Sequence, residues 1–483
     1  MNKNLKILFI ALLALAVATP AMAATFAFHG DLDNRFNVYT DQISWFGNDS
    51  GSQTLDEHDR PDSFATIKYR MWTEMSTNDG AVKGVYAIEV GGIRFGQTTK
   101  MASGTASGPG INYRGGGWSG DGVNAETRWA YVDFQLPSVD SKARFRIGLQ
   151  GHSVNKFFWA ETAMGVKFYT DNWYVAWMRG VDSQTSTDAA GEAEDWLDGD
   201  VDTFTVRYDL KAEPVKAGFW VAYLLGRTSD TSVDFTTFNA LRSYEFKALP
   251  EANKDLLAFG VDGSWSTATN QGKLFINWDA IYELGTVEDV TVSGSSPADV
   301  DINAFLIHGD IGLSFGQSTL TFTSYYATGD DESHSDTDSD AFMQVDVDAN
   351  YSIIFQEGVA TNDDYFTERH VIGDKGMFLN KLDYNYKLSK KTKIGAAVLY
   401  LLTAEDIEWT GVTQDYKDDQ LGIEFQLYAS HKLYDNLQLA WNFAFLSAGD
   451  ALDAFEDSTN TNAGNGSADA DIMISTARVR YSF

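Results

Sequence analysis

The residues best able to act on a solute are charged side chains recurring at every second position. Lys68 and Arg70 form one such pair and Lys142, Arg144 and Arg146 a run of three, while Arg179 and Arg207 are read as pointing the same way on nearby segments. A spacing of two places side chains on one face of a β-strand, so these cations form a stripe, with Arg70 and Arg144 near its middle. Carboxylates that would oppose it are Glu74, Asp133 and Asp209 close by, and Asp262, Asp279, Glu283 and Asp310 further along. Separated stripes of opposite charge around enclosed water would impose a transverse field that orients dipolar solutes and attracts small anions. The plainer alternative is that each arginine is solvated and neutralised by a neighbouring carboxylate.

Other chemistry has less support. Asp330, Asp331, Glu332, Asp336, Asp338, Asp340, Asp346 and Asp348 crowd one stretch, and carboxylate oxygens suit hard divalent cations. Asp336, Asp338 and Asp340 have the opening spacing of an EF-hand loop, but Ala341 stands where its glycine belongs. A solvated acidic face competes with a Ca2+ or Mg2+ site there, and no other cofactor is expected. The absence of Cys excludes thiol catalysis and zinc-thiolate centres. His308 and Asp310 share a face as an acid and base pair would, yet no G-x-S-x-G motif frames a nucleophile, so no enzyme is expected. The formal charge of −32 argues against nucleic-acid binding.

The elements that must position these side chains are long amphipathic strands. Phe26, Phe28, Leu32, Phe36 and Val38 alternate with His29, Asp31, Asp33, Arg35 and Asn37, and Phe204, Val206, Tyr208 and Leu210 with Thr205, Arg207 and Asp209. Such segments occur near 25–39, 64–76, 81–95, 127–136, 142–150, 163–170, 173–180, 202–211, 215–227, 256–266, 273–283, 303–315, 318–328, 377–388, 393–403, 419–431, 437–447 and 470–483, eighteen in all. Most approach the roughly 9–11 residues that a tilted membrane strand requires.

Connections alternate between short turns, such as Thr77-Asn78-Asp79-Gly80 and Glu213-Pro214, and long loops at 40–63, 96–126, 151–162, 181–201, 228–255, 284–302, 329–376, 404–418 and 448–469. Residues 1–23 have the basic start, short apolar run and Ala21-Met22-Ala23 site of a cleaved secretory signal, leaving 24–483 as one domain. Exported chain, alternation and loop asymmetry together predict an all-β fold: a transmembrane antiparallel up-and-down β-barrel of about 18 strands, with 16 as the alternative. A sandwich would bury its apolar face inside, and a propeller or solenoid would show a fixed repeat that is not found.

The last strand carries Val479, Tyr481 and the terminal Phe483 on one face, with Arg478, Arg480 and Ser482 on the other. This pattern resembles the carboxy-terminal signal that bacterial assembly machinery reads in outer-membrane proteins. With Arg128-Trp129-Ala130-Tyr131-Val132-Asp133-Phe134, Phe145 to His152 and Trp159 to Gly165, the chain resembles Gram-negative outer-membrane porins, and more narrowly the homotrimeric porins of sulfate-reducing proteobacteria. The resemblance implies a homotrimer and a passive diffusion channel for small hydrophilic solutes and ions in the outer membrane. A substrate-selective or polysaccharide-export channel is the alternative, and a barrel enzyme or adhesin a more distant one. Divalent cations on the acidic loop would then bridge to lipopolysaccharide.

Channel width would be set by an infolded loop. The nearly uncharged, glycine-rich segment 97–125 is one candidate for that constriction and Phe157-Phe158-Trp159 another. Phe26, Phe28, Tyr384, Tyr386, Tyr481 and Phe483 are placed at strand ends in an interfacial aromatic girdle.

Overall fold

The computed structural model describes residues 25–40, 62–95, 125–137, 142–181, 200–227, 233–234, 253–291, 298–331, 338–347, 349–356, 370–410, 414–455, 465–468 and 471–483. The signal segment, the glycine-rich segment up to residue 124, and Glu332, Asp336 and Asp348 of the acidic stretch lie outside the described residues. Among those described there are twenty strands and two short 3-10 turns.

The strands are β1 (Thr25–Thr40), β2 (Asp62–Ser76), β3 (Val82–Arg94), β4 (Glu126–Gln135), β5 (Arg144–Asn155), β6 (Trp159–Tyr169), β7 (Trp173–Val181), β8 (Val201–Ala212) and β9 (Val215–Gly226). They continue as β10 (Val233–Asp234), β11 (Lys254–Ala268), β12 (Lys273–Thr291), β13 (Ala298–Phe315), β14 (Ser318–Ala327), β15 (Asp338–Ser339), β16 (Met377–Tyr386), β17 (Thr392–Thr410), β18 (Asp415–Tyr434), β19 (Leu437–Ala448) and β20 (Ile472–Ser482). Eighteen of them form a closed antiparallel ring. The two-residue strands β10 and β15 come from connections and pair in parallel with β12 and β13.

Alternation decides which face points out. On β8, Val206 is 53% exposed while Thr205 is fully buried, and Phe204, Tyr208 and Leu210 follow Val206. The same apolar rows face outward all round the ring, for example Phe219 and Val221 on β9, Ile307 and Ile311 on β13, and Phe425 and Leu427 on β18. Leaving each such side chain in water forfeits about 1.5–3 kcal/mol, so this exterior suits lipid. Backbone groups in lipid must be paired within the protein, which demands closure, and β20 meets β1 from Asp31↔Ser482 to Thr40↔Met473.

The seam ends at Gly30 and Phe483, whose main chains exchange bonds of 2.9 and 3.0 Å. The Phe483 ring lies over Gly30, where a Cβ would come within 2.3 Å of it. Gly30→Val is therefore expected to push the terminal ring off the seam and to destabilise the barrel by about 1–3 kcal/mol. The check is the temperature at which the variant loses its folded mobility in a detergent gel. An unchanged temperature would show that the ring moves aside at no cost.

Three connections are shorter than the sequence suggested, because strand pairing continues into them. β5 and β6 leave only the turn 156–158 in place of 151–162. Likewise β12 and β13 narrow 284–302 to 292–297, and β17 and β18 narrow 404–418 to 411–414. The upper parts of β5 and β6 also leave the wall: β4 pairs with β5 only as far as Leu149, and β7 with β6 only from Met164. Beyond those points the hairpin pairs with itself and leans into the lumen.

Candidate functional site

The inner wall of β1 to β6 and β20 carries the basic stripe. Glu89 on β3 accepts Arg70 Nε at 2.6 Å and Arg128 Nη1 at 2.5 Å, with Lys68 Nζ at 3.3 Å. Asp133 on β4 holds Arg144 Nε at 2.5 Å and Arg146 Nε at 2.9 Å, and also accepts the Tyr169 hydroxyl at 2.5 Å. Across the seam, Asp33 takes Arg478 at 2.7 Å and Arg35 at 3.2 Å, and Asp31 takes Arg480 Nε at 2.6 Å. Eight cations thus share four carboxylates. The Glu89 and Asp133 side chains are 5% and 3% exposed, whereas Arg70 is 38% exposed, so acids lie at the wall and cations stand above them.

Each arginine thus has a carboxylate, as the plainer alternative expects, and the cations are the more exposed partners. Glu89, Arg128, Asp31 and Asp33 were not among the sequence candidates for the lining. Their signal is Glu89 as the one acid of a largely apolar strand, and the wet parity of the first strand.

The remaining candidates divide. Glu74 pairs with Lys83 at 2.8 Å, and Lys142 lies in the connection before β5, paired with Asp171 at 3.2 Å. Arg207 points inward, bonded to Asp262 at 2.6 Å, Asp209 at 2.9 Å and the Val154 carbonyl at 2.8 Å. Arg179 does not join it. It has the outward parity of the exposed Trp177, since Met178 is the buried neighbour, and it pairs with Asp200 and Asp202 at the upper rim of β7 and β8. Spacing within β7 does not fix which of its parities faces in, and Arg179 is not a lining residue.

The opposite wall is covered, so the acids expected to face the basic stripe across water do other work. Glu283 on β12 is fully buried and accepts the Met343 N–H at 2.9 Å. Asp279 accepts Asn155 Nδ2 at 2.7 Å and is 2.8 Å from His308 Nδ1; Asp310 accepts Thr323 Oγ1 at 2.7 Å. His308 Nε2 is 3.2 Å from both Asp310 and the Tyr351 hydroxyl, so this pair anchors a loop.

That loop is the connection between β14 and β16, read from sequence as an acidic exterior segment. Residues 341–347 and 349–356 instead fill the lumen. Ala341, Phe342, Met343, Ile354 and Phe355 are buried, and Glu424 on β18 accepts the Ser352 hydroxyl and, at 2.9 Å, the Ile353 N–H. Lys381 Nζ and Gln426 Nε2 both donate to the Tyr351 carbonyl, at 2.8 and 3.0 Å. The physical reason is composition: after Asp340 the segment turns apolar and cannot remain in water. Its Asp338 and Asp340 are exposed or lie at the loop's outer end, and no group of three metal-ligating side chains gathers among the described residues.

Loop and hairpin tip meet in the lumen. Phe157 stacks with Tyr351 at 6.1 Å and lies 4.8 Å from His308 and 4.3 Å from His370. Lys156 Nζ donates to the Tyr351 hydroxyl at 2.9 Å, and burial keeps that phenol protonated far above its ordinary range. The aromatic tip Phe157-Phe158 thus packs against a loop whose acidic opening had pointed to the exterior.

Below the tip is a cavity of about 470 Å³ lined by Lys167, Tyr169, Tyr174, Arg207, Asp209 and Asp262, among others. Lys167 Nζ lies 3.9 Å from the Tyr174 ring centroid and makes no ion pair among the described residues. It extends the cationic row between Arg146, its register partner, and Arg207.

No family model and no curated protein matches the chain. Solved structures do. Pseudomonas aeruginosa OccK8 (OprE) is similar with a TM-score of 0.50 at 9% identity, over 95% of this chain and 98% of that one. Acinetobacter baumannii OccAB4 has a TM-score of 0.50 at 10% identity, over 96% and 100%. Pseudomonas aeruginosa OpdL has a TM-score of 0.50 at 10% identity, over 95% and 98%. At these identities the likeness is one of fold.

Proposed function

We propose that the chain forms a water-filled channel in the outer membrane of a Gram-negative bacterium, through which small hydrophilic solutes diffuse passively with a preference for anions. The observation that carries this reading is the wall of β1 to β6 and β20, where eight cations rest on four wall carboxylates inside a barrel whose exterior is apolar. An excess of fixed positive charge in a narrow, partly desolvated passage concentrates small anions and repels cations.

A selective channel is favoured over a general one by the two infolded segments. The hairpin tip packs on β7 to β9 and the loop on β12 to β18, so solutes pass along the basic wall. Lys167, just below the tip, is the next cation that an anion on this path would meet. The barrel fold shared with OccK8 (OprE) of Pseudomonas aeruginosa and OccAB4 of Acinetobacter baumannii supports a membrane-spanning architecture. The narrower resemblance to homotrimeric porins of sulfate-reducing proteobacteria supports a trimer as the working unit, with export directed by the amino-terminal signal and insertion by the terminal Tyr481 and Phe483.

The test is reconstitution into a planar bilayer with a salt gradient. Discrete conductance steps and a reversal potential of the sign set by anion flux are expected. A protein that inserts without conductance would remove the channel reading, and a cation-selective potential would remove the role given to the basic wall.

A further inference from the structure

Gln344 holds the constriction together. Its Nε2 donates to the Phe157 carbonyl at 2.8 Å and lies 3.0 Å from His370 Nδ1, while its Oε1 accepts the His370 main-chain N–H at 3.1 Å. One amide thereby joins the hairpin tip, the 338–356 segment and the 370–376 segment. Its orientation is determined: reversed, the amide would set oxygen against the Phe157 carbonyl and NH2 against the His370 N–H. With NH2 facing the ring, Nδ1 must be the acceptor and His370 is the neutral tautomer carrying its proton on Nε2.

We propose that His370 is a proton-operated release for the infolded loop: a proton taken at Nδ1 opposes the Gln344 NH2, undoes the three bonds of that amide and frees the loop from the hairpin tip. The site offers the added charge no compensation. Packed against His370 are Phe157 on the tip and the phenols of Tyr325 on β14 and Tyr351 on the loop. The chargeable groups facing it are Lys156 on the tip and His308 on β13, both of like charge when protonated. Asp279 and Asp310 are engaged by His308, and on its own segment Asp374 lies beside Lys375 at 4.0 Å.

Burial, with Lys156 and His308 adding to it, holds the His370 imidazole well below its ordinary range. In a released, hydrated loop it would titrate near the usual value of about 6.5. A depressed value in the held state means that the held state is fully favoured above about pH 6.5 and loses ground as pH falls below it, by up to about tenfold per unit. At pH 5.0 the ratio of released to held loop is thus expected to rise about thirtyfold over its value at pH 7.5.

Hydrogen exchange of the full chain in detergent, corrected for intrinsic rates, reads this directly in the amides of residues 341–356. The wild type should lose protection about thirtyfold between pH 7.5 and 5.0, and His431→Gln, a substitution in an exposed histidine of β18, should behave as the wild type. His370→Gln should lose the thirtyfold rise in exchange at low pH, and Gln344→Glu, which offers the imidazolium an acceptor, should reverse the sign of the response. Protection in the wild type that ignores pH, or a His370→Gln protein that responds as the wild type does, would overturn the proposal. The exchange measurement is independent of conduction. Exchange that responds in a protein without current would count against the channel and not against the release.

Discussion

Excising residues 332–372 and joining Asp331 to Gly373 is expected to raise single-channel conductance several-fold and to abolish discrimination among solutes of different size. The ends already meet: the Asp330 N–H donates to the Asp374 carbonyl at 2.7 Å, and Lys375 Nζ reaches the Asp330 carbonyl at 2.6 Å. Directly below, β14 and β16 pair from Ala327↔Met377 downward, so the ring does not depend on the loop for its closure. What the loop covers is the inner wall, where Glu283 and Glu424 would exchange its N–H groups for water. Eighteen tilted strands enclose an aqueous channel wider than their own side chains fill, and the infolded loop is the larger of the two segments that narrow it. Conductance steps of the shortened protein, measured beside a gel that confirms folded mobility, provide the check. An unchanged step size would mean that the limiting aperture lies elsewhere.

The second large effect concerns charge. Arg144→Ala combined with Arg146→Ala should lower the anion-to-cation permeability ratio several-fold, because it removes two of eight cations and leaves Asp133, of its three partners, only the Tyr169 hydroxyl. The opposite change, Asp133→Asn, should raise the ratio, since both guanidinium groups then stand without their counter-charge. These shifts should be large at 0.01 M salt, where screening extends over about 30 Å, and small at 1 M, where it extends over about 3 Å. Reversal potentials for the three proteins under one gradient test this, and equal values would show that the stripe is electrically silent.

The candidate site is partly legible in the order of the residues. Lys68, Arg70, Arg144 and Arg146 stand out because period-two spacing alone places them on the wet side of a strand. Glu89 does not, although it organises Lys68, Arg70 and Arg128, because its partners lie on two other strands and cross-strand pairing is not written in spacing. Arg179 departs from expectation for a related reason. Parity is defined within a strand, and only the pairing of β7 with β8 shows which parity of β7 faces out.

The loop between β14 and β16 is the clearest divergence. Its acidic opening points to solvent, whereas Phe342, Met343, Ile353, Ile354 and Phe355 decide where it goes. Those residues follow no period of two, so they announce burial without saying against what. Glu283 and Glu424 supply the answer as wall carboxylates that bind loop N–H groups, and neither could be matched to Met343 or Ile353 by any local rule.

From the amino-acid order alone came a closed barrel of about eighteen strands, with sixteen left open, its apolar exterior and the terminal strand that ends on Phe483. These follow from alternation and length, which are local properties and are forced by lipid on every strand alike. Only the tertiary structure decided which acids sit beneath which cations, that the β5–β6 tip leaves the wall, and that an acidic loop turns inward to meet it. Those depend on contacts between residues far apart in the chain, where the competing claims of burial, charge and hydrogen bonding are settled by geometry and not by composition.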